Sequence, residues 1–234
     1  RVELIVRDDA QNPEQAIAAV GELVETKVIA VVGPMTSAMA EVVQPLANRA
    51  GIPFVSPTVT ARKFFGGDDQ MFLVMSSTRE EAAFSAKFHH GRGARRVAAI
   101  YDARNLAYTE SWLAEFARAF QELGGDVTGI AFESAPDAGL DGVTGRALAT
   151  RPDLVLFITS ATDAARLAQK VRERDRGVAI AASQWATTQR LIELGGSAVE
   201  GMFLHNYFDG RSQEPAFLRL RTAYVERFRR EPDF

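Results

Sequence analysis

The apolar positions of this chain fall into two alternating rhythms. Continuous runs such as "VIAVV", "RVAAIYD" and "DLVLFIT" carry the β-branched and aromatic residues of strands buried on both faces. Between them lie segments whose apolar residues return every three or four positions, as helices require. The first strand predicted is "RVELIV". It is followed by a helix over "NPEQAIAAVGELVET", with Asn12 as cap, Pro13 at the first helical position, and Ile17, Val20 and Val24 on one face. Strand Val28–Val32 leads to a helix from Ser37 to Ala50 with Val42, Val43 and Leu46 inward. Gly51 closes that helix, and "IPFVS" is the next strand.

A less regular stretch, "GGDDQMFLVMSST", interrupts the rhythm. Helix Arg79–Gly91 then restarts it, followed by "RVAAIYD", helix Tyr108–Leu123 and strand "VTGIAFE". A helix near Gly142–Ala149, strand "DLVLFIT", helix Ala164–Arg174 and strand "VAIAAS" come next. A short helix near Thr187–Leu194, the stretch "EGMFLHNYF" and helix Pro215–Arg229 complete the series. Strands and amphipathic helices in alternation imply parallel sheets covered on both faces. There are more strands than one small sheet needs, with a division near residues 75 to 80. The fold class expected is therefore α/β, with two doubly wound parallel-sheet lobes.

Composition narrows the function. The chain has 234 residues, enough for a large core, and its formal net charge is −3. A nucleic-acid partner, which needs a basic face, is disfavoured. No apolar run approaches the roughly 20 residues of a membrane span, so this segment is not expected to insert into a bilayer. The absence of cysteine removes disulfides and thiolate metal sites without choosing a compartment. Residue 1 is Arg in the middle of a strand-like run, and "RREPDF" has a helix stop without a closing element. The polypeptide is therefore expected to continue on both sides.

The candidate chemistry lies in "VIAVVGPMTSAMAEVVQPLANRAGIPFVSPTVTA", Val28 to Ala61. Two strands here each run into a short turn rich in Ser and Thr. In open parallel sheets ligands sit beyond the carboxyl ends of strands. A helix starting at Ser37 would offer free amides and its dipole to an anion. The hydroxyls of Thr36, Ser37, Thr58 and Thr60 could add donors. Each turn taken alone is also explained as an ordinary cap or turn.

Enzyme motifs are missing from the sequence: there is no nucleophile elbow, Walker loop, Gly-x-Gly-x-x-Gly or His-Glu-x-x-His. No catalytic residue, metal ligand or cofactor is expected. The "HHGRGARR" run, His89 to Arg96, reads as a solvated helix end, because adjacent His side chains diverge. His205 reads as a strand or crossover residue. Asp8 and Asp9 read as a turn after the first strand.

The order of the acidic pair and Asn-Pro-Glu, a strand ending in Gly-Pro, Ser37, "GIP" and "SP" with Thr60 resembles the type I periplasmic binding proteins. The branched-chain and hydrophobic amino-acid branch serving ABC transporters is the nearest match, and the likeness extends through "RVAAIYD", "LVLFIT" and "VEGMFLHNYF". The resemblance implies a hinged cleft between a first lobe, residues 1–79 with 208–234 and incomplete at both ends, and a second lobe, 80–207. It implies that Ser37 and Thr60 hold a ligand carboxylate, aided by the backbone at Thr58, and that Tyr108 closes over it. It places Gln184 where amino-acid binders carry an acid for the ammonium group, with Trp185 beside it. A second aromatic position falls near Ser160 or Ala161, where this chain has no ring.

The implied partners are a small carboxylate-bearing ligand and the membrane permease of an ABC importer, in the periplasm or outside the cell. A ligand-sensing domain of a signalling receptor is the alternative. Gln184 brings no charge, so the ligand is expected to include acids without an α-amino group. Asp163 is the one other acid in reach of that role, and a capping role at the next helix competes with it.

Overall fold

The computed structural model describes residues 2–135, 139–206 and 209–232. These residues group into two compact units, one of residues 1–93 with 102–124 and the other of 94–101 with 125–234. Within them the chain forms an α/β fold with two separate parallel sheets.

The first unit opens with residues 2–9, which carry no strand. The predicted strand "RVELIV" is thus absent among the described residues, where Val2, Leu4 and Val6 are exposed. A strand exists through its ladder, and this segment pairs with none. Helix α1, Pro13–Glu25, starts as expected: Asn12 accepts from the amides of Glu14 and Gln15. Its buried residues are Ala16 and Val20, with Val24 packed beside them, whereas Ile17 is half exposed. The inward stripe is therefore turned slightly from the one drawn through Ile17.

Strand β1, Val31–Val32, precedes α2, Ser37–Ala50. Gly51, at φ 66°, ends α2 in the left-handed conformation that glycine adopts without penalty. Strands β2, Phe54–Ser56, and β3, Met71–Leu73, complete a sheet in the order β1-β2-β3, with Val31 opposite Phe54 and Phe54 opposite Met71. Strand β3 lies inside the stretch that seemed irregular in sequence. The core of this unit joins Ala16 and Val20 to Met39, Ala40, Val43 and Phe54. Helices α3, Thr78–Gly91, and α4, Leu106–Glu122, pack closely on one another. Stacked rings of Trp112, Phe116 and Phe120 run along α4.

The second unit holds β4, Arg96–Asp102, and β5, Asp126–Phe132, followed by α5, Leu140–Ala149. Then come β6, Leu154–Ile158, α6, Ala161–Arg174, β7, Ala179–Ala182, and α7, Gln189–Gly195. The strand order is β5-β4-β6-β7-β8, where β8 is Phe203–Leu204, and β6 is buried throughout. Every pairing from β4 through β8 is parallel. Side chains of α6 such as Ala164, Leu167 and Val171 pack over Val155, Phe157 and Ile180. Tyr207 and Phe208 of "EGMFLHNYF" lie outside the described residues. Helix α8, Pro215–Phe228, is found where expected and buries no residue fully. No helix among the described residues is long and apolar enough to cross a membrane.

Candidate functional site

The two hydroxyl-rich turns of the first unit are fastened to each other. Ser56, fully buried at the end of β2, donates to the Pro34 carbonyl at 2.8 Å and accepts from the Val59 amide at 3.1 Å. Thr58 donates to the Met35 carbonyl at 2.6 Å. Ser37 Oγ accepts from the Ala61 amide at 3.4 Å. Thr36 caps α2 by accepting from the Met39 amide at 3.3 Å. These bonds decide which hydroxyls can still serve an anion. A hydroxyl has one hydrogen and two lone pairs. Thr36 and Ser37 use lone pairs here and keep their hydrogens, whereas Thr58 has given its hydrogen to Met35.

The expectation of free amides at the start of α2 narrows at this point. Two of the early amides of α2 are already engaged: Met39 by Thr36, and Ala38, which donates to Asn105 Oδ1 at 3.0 Å. The hydroxyl-bearing residues differ in exposure: Ser37 and Thr60 are 2% and 3% accessible, while Thr58 is open to solvent. The start of α4, which packs on α2 in the same unit, supplies Asn105. Tyr108 lies in the first turn of α4 and is buried. Ser111, one turn on, accepts from the Arg62 amide at 3.2 Å and bonds with the Thr78 hydroxyl at 2.7 Å. Glu115 pairs with Arg62 at 2.8 Å. Thus Thr36, Ser37, Thr58, Thr60 and Tyr108 share one unit, together with Ser56, Asn105 and Ser111, which sequence reasoning missed. The missed signal was the spacing of Asn105, Tyr108 and Ser111, which repeats at one helical turn.

A cavity of ≈ 470 Å3 adjoins Thr36, lined also by Asp8, Asp9, Gln11, Met35 and Arg104. Asp8 and Asp9 form the expected turn, accepting from the amides of Ala10 and Gln11, both at 2.8 Å. The pocket is polar and holds both signs of charge.

Gln184 and Trp185 belong to the other unit, in a single 3-10 turn directly after β7. Gln184 is buried and Trp185 partly exposed. Two neighbouring hydroxyls, Thr159 after β6 and Ser183 after β7, are fully buried and find no hydrogen-bond partner among the described residues. Asp163 is held locally. It accepts from Ser134 at 2.5 Å and Ser160 at 3.3 Å and pairs with Arg166 at 3.3 Å. Ser160 caps α6 by accepting from the Asp163 amide.

The histidines separate. His89 is buried rather than solvated, and burial, reinforced by the Arg92 charge, pushes its pKa down to about 4. His90 meets the Phe120 ring edge-on. Burial also lowers the pKa of His205. No group of three or more metal-ligating side chains occurs among the described residues.

Comparison with known proteins agrees with this architecture. No curated protein sequence is a match. A leucine-binding protein of Thermotoga maritima has 25% identity and a TM-score of 0.92, covering 100% of this chain and 67% of its own. A solute-binding protein of an ABC transporter from Rhodopseudomonas palustris, solved with 3,4-dihydroxybenzoic acid, has 18% identity and a TM-score of 0.83, covering 100% of this chain and 65% of that one. An isoleucine-bound branched-chain amino-acid binding protein of Streptococcus pneumoniae has 18% identity and a TM-score of 0.80, covering 99% of this chain and 66% of that one. The chain thus spans about two thirds of the length of these structures. The family model described as periplasmic binding protein matches residues 1–234, and that family is non-enzymatic. By this match along its whole length, the chain belongs to the periplasmic binding protein family.

Proposed function

We propose that this chain captures a small carboxylate-bearing ligand for an ABC importer in the periplasm. The observation that supports this reading most directly is the fastened pair of turns. Thr36 and Ser37 each accept a backbone amide and so keep a hydroxyl hydrogen for an incoming oxyanion. Thr60 and Tyr108 belong to the same unit. Leucine, isoleucine and 3,4-dihydroxybenzoic acid, named for the similar structures, have the carboxylate in common.

In this reading the unit of residues 1–93 with 102–124 holds the carboxylate, Tyr108 included, in place of the 1–79 and 80–207 division expected from the sequence. The unit of 94–101 with 125–234 brings the Gln184–Trp185 turn. Closure about a hinge buries the ligand and presents one shape to a membrane permease. Gln184 accepts a hydrogen bond without supplying charge, and Asp163 is already engaged with Arg166, Ser134 and Ser160. A hydroxyl or keto group therefore suits this position better than an ammonium group. A thermal-shift panel of amino acids, keto acids and aromatic acids tests the reading, because a ligand raises the melting temperature of the state that binds it. At least one carboxylic acid should stabilise the protein by several degrees. A flat response across all three classes would overturn the proposal.

A further inference from the structure

Asn105 stands at the N-cap of α4, yet its side chain makes no bond to its own helix. An Asn at that position ordinarily accepts from the second or third amide of the helix it starts. Here Oδ1 reaches instead to the Ala38 amide, in the first turn of α2, at 3.0 Å, and the residue is 6% exposed. The contact does not stand alone. Ser111 takes the Arg62 amide and the Thr78 hydroxyl, and Glu115 takes the Arg62 guanidinium. Positions 105, 108, 111 and 115 follow the three- and four-residue spacing of one helix face. Tyr108 lies between two of these fastened residues, and the stripe is polar from end to end.

Resting on the carboxylate reading above, we infer that Asn105 is a positioning residue for ligand capture: by holding the Ala38 amide it sets Tyr108, one turn further along α4, against the turns that hold the carboxylate.

Stopped-flow binding of leucine and of 3,4-dihydroxybenzoate to the full chain, wild type beside Asn105→Ala and Asn105→Asp, tests this. In Asn105→Ala dissociation should be about three- to ten-fold faster, the range expected for one neutral hydrogen bond, with association within about two-fold. The melting temperature without ligand should fall by a few degrees, because the Ala38 amide loses its partner, so the dissociation rate is the readout that a merely structural role would not move. Asn105→Asp keeps the acceptor but adds a charge beside the ligand carboxylate. Its affinity should fall at low salt and recover in part as salt is raised. Should Asn105→Ala not fold, Ser111→Ala removes the next bond of the stripe and should show the same faster dissociation.

Wild-type dissociation rates in Asn105→Ala, or salt-independent wild-type affinity in Asn105→Asp, would overturn the inference while leaving the carboxylate reading intact. Failure of wild type to bind either probe counts against the carboxylate reading itself and takes this inference with it.

Discussion

Ser37 and Thr58 show that a hydroxyl's chemistry depends on which of its functions is already in use. Both were legible in the sequence as turn hydroxyls; the direction of their hydrogen bonds was not, because it depends on carbonyls and amides brought in from the other turn. Thr58 gives its hydrogen to Met35, so Thr58→Val should cost about 0.5–1.5 kcal/mol of stability and change ligand affinity little. Urea unfolding and calorimetry on the same variant check both halves, and a large affinity loss at unchanged stability would contradict the assignment. Gln184 carries the second residue-scale prediction. Leucine's keto acid should bind at least as tightly as leucine, and Gln184→Glu should reverse that order, since specificity is a difference of two affinities. Calorimetry on this matched pair decides it, and a clear wild-type preference for leucine would return the chain to ordinary amino-acid binding.

Among the elements, helix ends could be read from single residues because the chemistry that makes them is local. Asn12, Pro13 and Gly51 mark ends that the structure bears out. Removing the Asn12 side chain, which holds two amides, should destabilise the protein by about 1 kcal/mol in chemical denaturation; no change would mean that α1 starts without it. Strands were harder, since a strand depends on a neighbour that local sequence does not name. Residues 2–6 have the apolar pattern but no ladder, whereas Met71–Leu73 pairs with β2 from within a stretch crowded with Gly and Asp. The stripe Asn105, Tyr108, Ser111 and Glu115 was legible as helical spacing. Its meaning was not, because polar residues at that spacing usually face water.

For the molecule as a whole, the α/β class with two parallel sheets followed from the alternation of strand and helix patterns, and the family match agrees with the resemblance. Global stability should depend on pH through His89, a residue whose burial the sequence concealed behind a run of charges. Its pKa falls from 6.5 to about 4 on folding, chiefly by desolvation. The neutral form is thus favoured in the fold, and full stability is present above pH 6.5. As pH drops from there toward 4, the unfolded chain takes up a proton that the folded one refuses. Between pH 7.5 and 5 this should cost roughly 2 kcal/mol, a loss that His89→Asn should reduce in urea titrations at the two pH values. An equal loss in the variant would assign the pH dependence elsewhere.

The central claim is that a carboxylate is held at the two fastened turns. It is tested most directly by titration calorimetry of leucine and 3,4-dihydroxybenzoate against their counterparts without the carboxylate, isoamylamine and catechol. Wild type and the Ser37→Ala, Thr60→Ala double variant are compared. Wild type should prefer at least one acid by several kcal/mol, each charge-assisted bond contributing about 1.5–3, and the folded double variant should lose most of that preference. A double variant that keeps the full preference would contradict the account and move the carboxylate away from these turns.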